Sequence, residues 1–182
     1  MELEQLGEIH LVVPDASYAE EIVAYREEML MAGSSMDGCG ILRRCYNPFD
    51  WLEYNEILSN PDLVPKNRVQ STQFVLADKE TKRIYGMLQV RHYLNEYLRR
   101  FAGHIGYSVR PSERRKGYAK QMLLEAMQFC KEEVCLERIL VSCLVENEAS
   151  RRTILSCGGV LEEIVYEHLE GVWLEKYWIE LG

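Results

Sequence analysis

The chain has little that would divide it. It has five prolines in 182 residues and no Pro/Ser-rich linker, low-complexity tract or internal repeat, so a single domain over residues 1–182 is expected. No run approaches the roughly 18 apolar residues of a transmembrane helix. The opening Met1-Glu2-Leu3-Glu4-Gln5 lacks the basic start and apolar stretch of a signal peptide, which points to a cytoplasmic protein with no membrane partner. Basic residues are outnumbered, 21 against 29 acidic, for a net charge of −8. That balance argues against a nucleic-acid partner, which needs Lys and Arg to neutralise phosphates. The nucleotide-phosphate patterns G-x-x-x-x-G-K-[ST] and G-x-G-x-x-G are absent.

Six cysteines occur without C-x-x-C pairs or zinc-type spacing, so no metal is expected. Most lie in apolar-patterned segments and read as reduced, buried thiols. Cys39 and Cys45 fall in a loop, where a thiol is more open to reaction.

What is present is a mixed order of strands and helices. Leu6–Val13 reads as a strand closed by Pro14-Asp15. Ser17 is placed to cap a helix with Ala19, Ile22, Val23, Met29 and Leu30 on one face. Met36–Arg44 reads as loop, and Asn47-Pro48 opens a second helix through Leu58. Two strands, Val69–Ala77 and Arg83–His92, flank the polar turn 78–82. Tyr93–Arg100 reads as a short helical turn. After residues 104–130 come a strand over Glu137–Val145, a helix over Asn147–Cys157 stopped by Gly158-Gly159, and a strand pair over Val160–His168 and Val172–Leu181.

The most informative stretch is His104–Cys130. Ile105, Tyr107 and Val109 alternate as a strand. A basic loop follows, Arg110-Pro-Ser-Glu-Arg-Arg-Lys116, and a helix opens at Gly117-Tyr118-Ala119 with Met122, Leu123, Ala126, Met127 and Cys130 at helical period. Positions 110–120 carry net +4, leaving −12 on the rest. A helix N-terminus offers unpaired amides and a partial positive charge, and Gly117 lets an anion approach the backbone. Here the sequence resembles a known family. Arg114-x-x-Gly117-x-Ala119 fits the [Q/R]-x-x-G-x-[G/A] pattern of the GNAT superfamily of acyl-CoA N-acyltransferases, and the element order agrees along nearly the whole chain. The stretch from Gln89 through Arg114 and the closing Lys176-Tyr177-Trp178-Ile179 look like an uncharacterised bacterial subgroup of it.

The resemblance implies an α/β (α+β) fold: a mixed, mostly antiparallel sheet of about seven strands flanked by four helices. It implies acetyl-CoA as cosubstrate, with Arg114, Arg115, Lys116, Gly117, Tyr118, Ala119 and Lys120 around its pyrophosphate, Asn147 and Ser150 near its pantetheine arm, and strand amides near Val109 as donors to the oxyanion that develops on the thioester. Asn147 also reads as an ordinary N-cap. Many family members carry a proton-donating Tyr four residues before the Gly that ends the later helix; Ile154 stands there. Tyr107 is then the first tyrosine to consider as proton donor, although a packing role is the expectation. His104 is the suggestive general base, against a structural role for it. Arg91, His92, Asn95 and Glu96 stand at the expected mouth of the cleft, and Trp51 in the aromatic second helix is an acceptor-wall candidate against ordinary core packing. The reaction implied is acetyl transfer to the primary amine of a small molecule or peptide in a ternary complex. A non-catalytic coenzyme A sensor is the rival, and monomer and homodimer stay open.

Overall fold

A computed structural model of the protein describes residues 8–182. Its strands are β1 (Ile9–Val12), β2 (Ser71–Asp78), β3 (Ile84–Arg91), β4 (Ile105–Val109), β5 (Arg138–Leu144), β6 (Val160–Glu167) and β7 (Val172–Glu180). Its α-helices are α1 (Ala19–Met31), α2 (Pro48–Ser59), α3 (Tyr118–Glu132) and α4 (Glu148–Ser156). The strands form one sheet in the order β1-β2-β3-β4-β5-β7-β6. Every pairing is antiparallel except that of β4 with β5. This is the mixed, mostly antiparallel sheet that the resemblance implied.

Both faces of the sheet are covered. On one, Met122, Leu123, Ala126 and Cys130 of α3 pack with Leu88, Val90, Ile105 and Val141. On the other, Ile22, Tyr25 and Met29 of α1 and Trp51 of α2 pack with Val75, Ala77 and Met87. A strand covered on two sides is apolar at consecutive positions rather than alternate ones, which is why Phe74-Val75-Leu76-Ala77 and Met87-Leu88 read as unbroken runs.

The differences from expectation are local. The first strand begins at Ile9; Leu6 lies outside the described residues. Asp15, not Ser17, caps the first helical turn by accepting from the Ser17 amide. The turn expected over 93–100 forms a wide helical turn at Leu98–Ala102. Cys39, expected to be an open loop thiol, is fully buried, and burial pushes the thiol up to about 12. The exposed cysteine is Cys135.

One polar clamp orients the basic loop. Arg110 is buried and meets Glu21 at 2.8 Å and Glu28 at 2.5 Å, both on α1. Glu28 also accepts from the Ser112 amide at 2.7 Å. Burial pushes the Glu28 carboxyl upward, but the hydrogen bonds from Ser112 and Arg110 outweigh it and hold it at about 2. Arg110 is therefore structural and leaves the anion-binding set to the residues after it. Because the folded value lies below the ordinary 4.5, the clamp's stabilisation is complete above about pH 4.5 and is lost as pH falls toward 2. Glu28→Gln should cost about 1–3 kcal/mol at pH 7 in urea unfolding, and the loss should shrink below pH 3; an equal loss at both pH values would show that ionisation of Glu28 is irrelevant.

Candidate functional site

The site is built on a split in the sheet. β4 and β5 run parallel and pair at Ile105 and Val141 only. Beyond that junction β4 continues through Gly106–Val109, about 3.3 Å per residue, with no partner on its β5 side. Alternation fixes what faces the gap. The His104 carbonyl accepts from the Arg91 amide and the Arg110 amide donates to Tyr85, so these two groups point to β3, while the His104 amide turns to the Leu140 carbonyl of β5. The amides and carbonyls of Tyr107 and Val109 then point into the gap.

At the wide end of the gap lies the basic turn. Gly117 takes φ +85 and caps α3 without a side-chain bond. A Cβ there would meet nothing within 4 Å. The amides of residues 115–120 donate to no backbone carbonyl among the described residues, as the open start of a helix requires. Arg114 folds back, its Nε donating to the Val109 carbonyl at 3.2 Å, so the turn is tied to the strand that borders the gap. Lys116 pairs with Glu113 at 2.8 Å, while Arg115 and Lys120 stay exposed. An open, amide-lined, positively charged turn suits a pyrophosphate.

On the far side, Asn147 caps α4 by accepting from the Ser150 amide at 3.1 Å. Ser150 Oγ lies 2.6 Å from the Tyr107 hydroxyl, bridging the α4 wall and the β4 wall. Burial pushes the Tyr107 phenol up to about 12, against the pull of its Ser150 bond, so it keeps its proton across the physiological range. Ile154 is wholly buried in the core and offers no proton there. Arg151 grips Glu175 of β7 through two bonds of 2.8 and 2.9 Å, which fixes α4 against the sheet.

The structure corrects several acceptor-side expectations. His104 is buried, and its Nδ1 accepts from the Leu140 amide at 2.9 Å. The neutral ring then carries its proton on Nε2, and burial together with Arg91 pulls its pKa down to about 4. It holds the β4–β5 junction and has no lone pair for an amine proton. Trp51 is fully buried and donates to the Cys39 carbonyl at 2.8 Å; it is core, not acceptor wall. His92 bonds Thr72 at 2.7 Å and lies against Phe129 of α3, away from the α1–α2 face. Asn95 accepts from the Leu98 amide at 2.9 Å, and with Glu96, Tyr97, Arg100 and Phe101 it lines an open surface depression of about 420 Å³. Arg91 alone of that cluster reaches the split: its Nη2 lies 3.3 Å from where a Cβ on Gly106 would stand.

The residues that sequence reasoning missed sit in the loop 36–40. Gly38 presses on β4 so closely that a Cβ would strike the Gly106 carbonyl and the Tyr107 Cα. Gln73 Nε2 holds this loop by donating to the Gly38 carbonyl at 2.6 Å. The Tyr25 hydroxyl and the Cys39 thiol converge on Ser108 Oγ at 2.9 and 3.4 Å. The Asn55 amide and Gln73 Oε1 are buried without a hydrogen-bond partner among the described residues. The available signal was the glycine pair around Cys39, but a glycine says that a backbone is close to something, not to what. No three His, Cys, Asp or Glu side chains among the described residues gather as a metal site, and no helix among them is long and apolar enough to cross a membrane.

A parallel pair split beside a helix-opening glycine turn is the arrangement that the resemblance implied, and comparison agrees. The family model of the acetyltransferase (GNAT) domain matches residues 40–160, and the chain belongs to that family. An uncharacterised N-acetyltransferase, YoaA, of Bacillus subtilis (strain 168) is 30% identical over 94 residues, 50% of this chain and 51% of that protein; the match thus spans about half the length of that relative. The ribosomal-protein-S5-alanine acetyltransferase of Vibrio fischeri superposes with a TM-score of 0.71 at 19% identity, over 93% of this chain and 91% of that one. The microcin C7 self-immunity acetyltransferase MccE, solved with acetyl-CoA and AMP, gives 0.70 at 21% identity, over 95% and 92%. These two likenesses concern the fold.

The contact of Gly38 with β4 can be separated from its backbone strain. Gly33 and Gly38 both have positive φ, +65 and +74, but a Cβ on Gly33 meets nothing within 4 Å. Gly33→Ala should cost only the left-handed strain of about 1–2 kcal/mol. Gly38→Ala should cost clearly more in urea unfolding, because the loop must also leave the strand; equal losses would show that the loop is not seated on β4.

Proposed function

We propose that this protein is a cytoplasmic N-acetyltransferase, one domain over residues 1–182, that moves an acetyl group from acetyl-CoA to a primary amine in a ternary complex. The observation that carries the reading is the split between β4 and β5, bounded by the amide-lined turn 115–120 at one end and the Tyr107–Ser150 pair at its side. The turn would hold the pyrophosphate through its backbone amides, with Arg115 and Lys120 adding charge and Arg114 fixing the turn to Val109. The free Tyr107 and Val109 amides suit the pantetheine arm, and one of them suits the thioester oxygen as negative charge develops on it.

In the reaction the amine nitrogen attacks the thioester carbonyl carbon. A C–N bond forms, the C–S bond breaks and sulfur departs as thiolate. The proton that nitrogen loses balances the one that sulfur gains. A phenol whose pKa is raised to about 12 is a poor proton source but a dependable hydrogen-bond donor. Tyr107 and Ser150 therefore stabilise the departing thiolate together and replace the tyrosine absent at position 154. This proposed role differs from the packing role expected for the Tyr107 hydroxyl.

Acetyl-CoA should raise the melting temperature by mass action on the folded state. Gly117→Val, which puts a branched side chain where the pyrophosphate meets the backbone, should weaken acetyl-CoA binding at least about tenfold, roughly 1.4 kcal/mol, in a protein that still folds. Calorimetry giving the wild-type affinity would put the phosphates elsewhere. Tyr107→Phe should leave acetyl-CoA affinity intact and lower thiol release with an accepted amine by about ten- to a hundredfold, the worth of a hydrogen bond to a charged group. A loss under about threefold would leave Tyr107 a packing residue.

A further inference from the structure

The last strand of the sheet order is β6, and it has no strand on its outer side among the described residues. Six of its eight residues are exposed, whereas three of the four residues of β1, at the other edge, are half-buried. The helix above explains the difference. α4 is fixed to β7 through Arg151 and Glu175, and β6 beyond it is left open.

Directly opposed residues of an antiparallel pair share a face. Leu161 opposes Tyr177, Ile164 opposes Glu175 and Tyr166 opposes Trp173. Tyr177 belongs to the α3 core and Glu175 holds Arg151 of α4. Leu161, Ile164, Tyr166 and Trp173 therefore form one apolar strip on the helix-covered face, past the reach of the helices. Ile164 is 51% and Trp173 56% exposed, and the Tyr166 and Trp173 rings lie 5.1 Å apart. The exposed part of the strip is on the order of 400 Å², the size at which apolar patches serve contacts.

The free edge is open to pairing. Residues 160–167 contain no proline or lysine to block it, and the bulge at Glu162 confines the regular stretch to the residues after it. The Gly171 amide donates to the Glu167 carbonyl, so Glu167 and Val165 turn their backbone groups to β7. Tyr166 and Ile164 turn theirs outward.

Charge selects the occupant. Glu162 pairs with Arg99 at 2.7 Å and Lys176 at 3.2 Å, and Glu163 pairs with Lys176 at 2.9 Å. Glu167 accepts from the amides of Leu169 and Glu170. The carboxylates of the strand are thus satisfied within the chain and call for no basic partner. Antiparallel pairing of β6 with its own copy, centred on Ile164, sets Glu163 opposite Val165, Glu162 opposite Tyr166 and Glu167 opposite Leu161. No carboxylate then meets another. Centring on Glu163 would set that residue against itself, and centring on Val165 would set Glu163 against Glu167. Ile164 also faces outward, as the centre of a hydrogen-bonded pair must, and it stands in the middle of the strip.

We infer that the protein dimerises through β6: two copies pair antiparallel about a two-fold axis at Ile164, one sheet runs through both, and their apolar strips meet. With the strand edges, the two copies bury on the order of 1,000 Å², the low end for a specific contact. The dimer is accordingly weak, with a dissociation constant of about 1–100 μM. The acetyltransferase reading does not depend on it.

Sedimentation velocity on the full chain from about 1 to 500 μM should show the mass rising from 21.3 kDa toward twice that value. Ile164→Lys places two like charges on the axis and should weaken the dimer at least about tenfold. Leu63→Lys, at an exposed apolar residue outside the strip, should leave it within about twofold. Hydrogen exchange on the wild type reads the same surface if a variant fails to fold. The Ile164 and Tyr166 amides should exchange more slowly at high concentration than at low. A chain that stays monomeric over the whole range would leave the strip to a different protein and overturn the inference. So would an Ile164→Lys variant that dimerises as tightly as the wild type, or a dimer in which those two amides gain no protection.

Discussion

Two strands that pair at one residue and then part create an unusual demand, because backbone N–H and C=O groups along the gap must find partners outside the sheet. The β4–β5 split is that demand in this protein. Everything around it either holds the split open or faces it. His104 stitches the closed end through Leu140. Arg110 and α1 brace the loop that leaves the open end. Arg151 and Glu175 fix α4 along one side, and the loop at Gly38 lies on β4 from the opposite face.

The charged groups follow the same division. Those that brace the frame are paired, and the Glu28 carboxylate among them is held low, at about 2. Those that face the gap or its mouth are not consumed by such pairs: Arg115 and Lys120 at the turn, Arg91 and Asp37 at the vertex. A chain with net charge −8 places unpaired positive charge at the two ends of one slot. Exposed positive charge at the turn adds little to folding and suits the attraction of an anion.

The fold was legible to the extent that each element carries its own periodicity. The α3 stripe Met122, Leu123, Ala126 and Cys130 is buried as its spacing required, and the alternation over 105–109 gave β4 its two faces. The Gly117 turn was legible because helix-start chemistry is local. The acceptor side was not. Trp51, His92 and His104 have the right chemistry for a site, but a side chain's partner is decided across the fold: a carbonyl of the 36–40 loop for Trp51, Thr72 for His92, the Leu140 amide for His104. Conversely Gly38, Asp37 and Ser108 carry no local pattern, and they matter only because a loop from the α1–α2 connection crosses β4.

By itself, then, the sequence determined the order of strands and helices, the amphipathic faces, and the glycine that opens α3, all of which arise from interactions within a few residues. The tertiary structure decided which polar groups are spent and which remain. It turned Arg110 into a brace and left an edge of Arg91 unbonded. It set the Tyr107 hydroxyl 2.6 Å from Ser150, 43 positions away. Hydrogen-bond partners are chosen by proximity in space, and residues this far apart in the chain come together only when the whole sheet has formed.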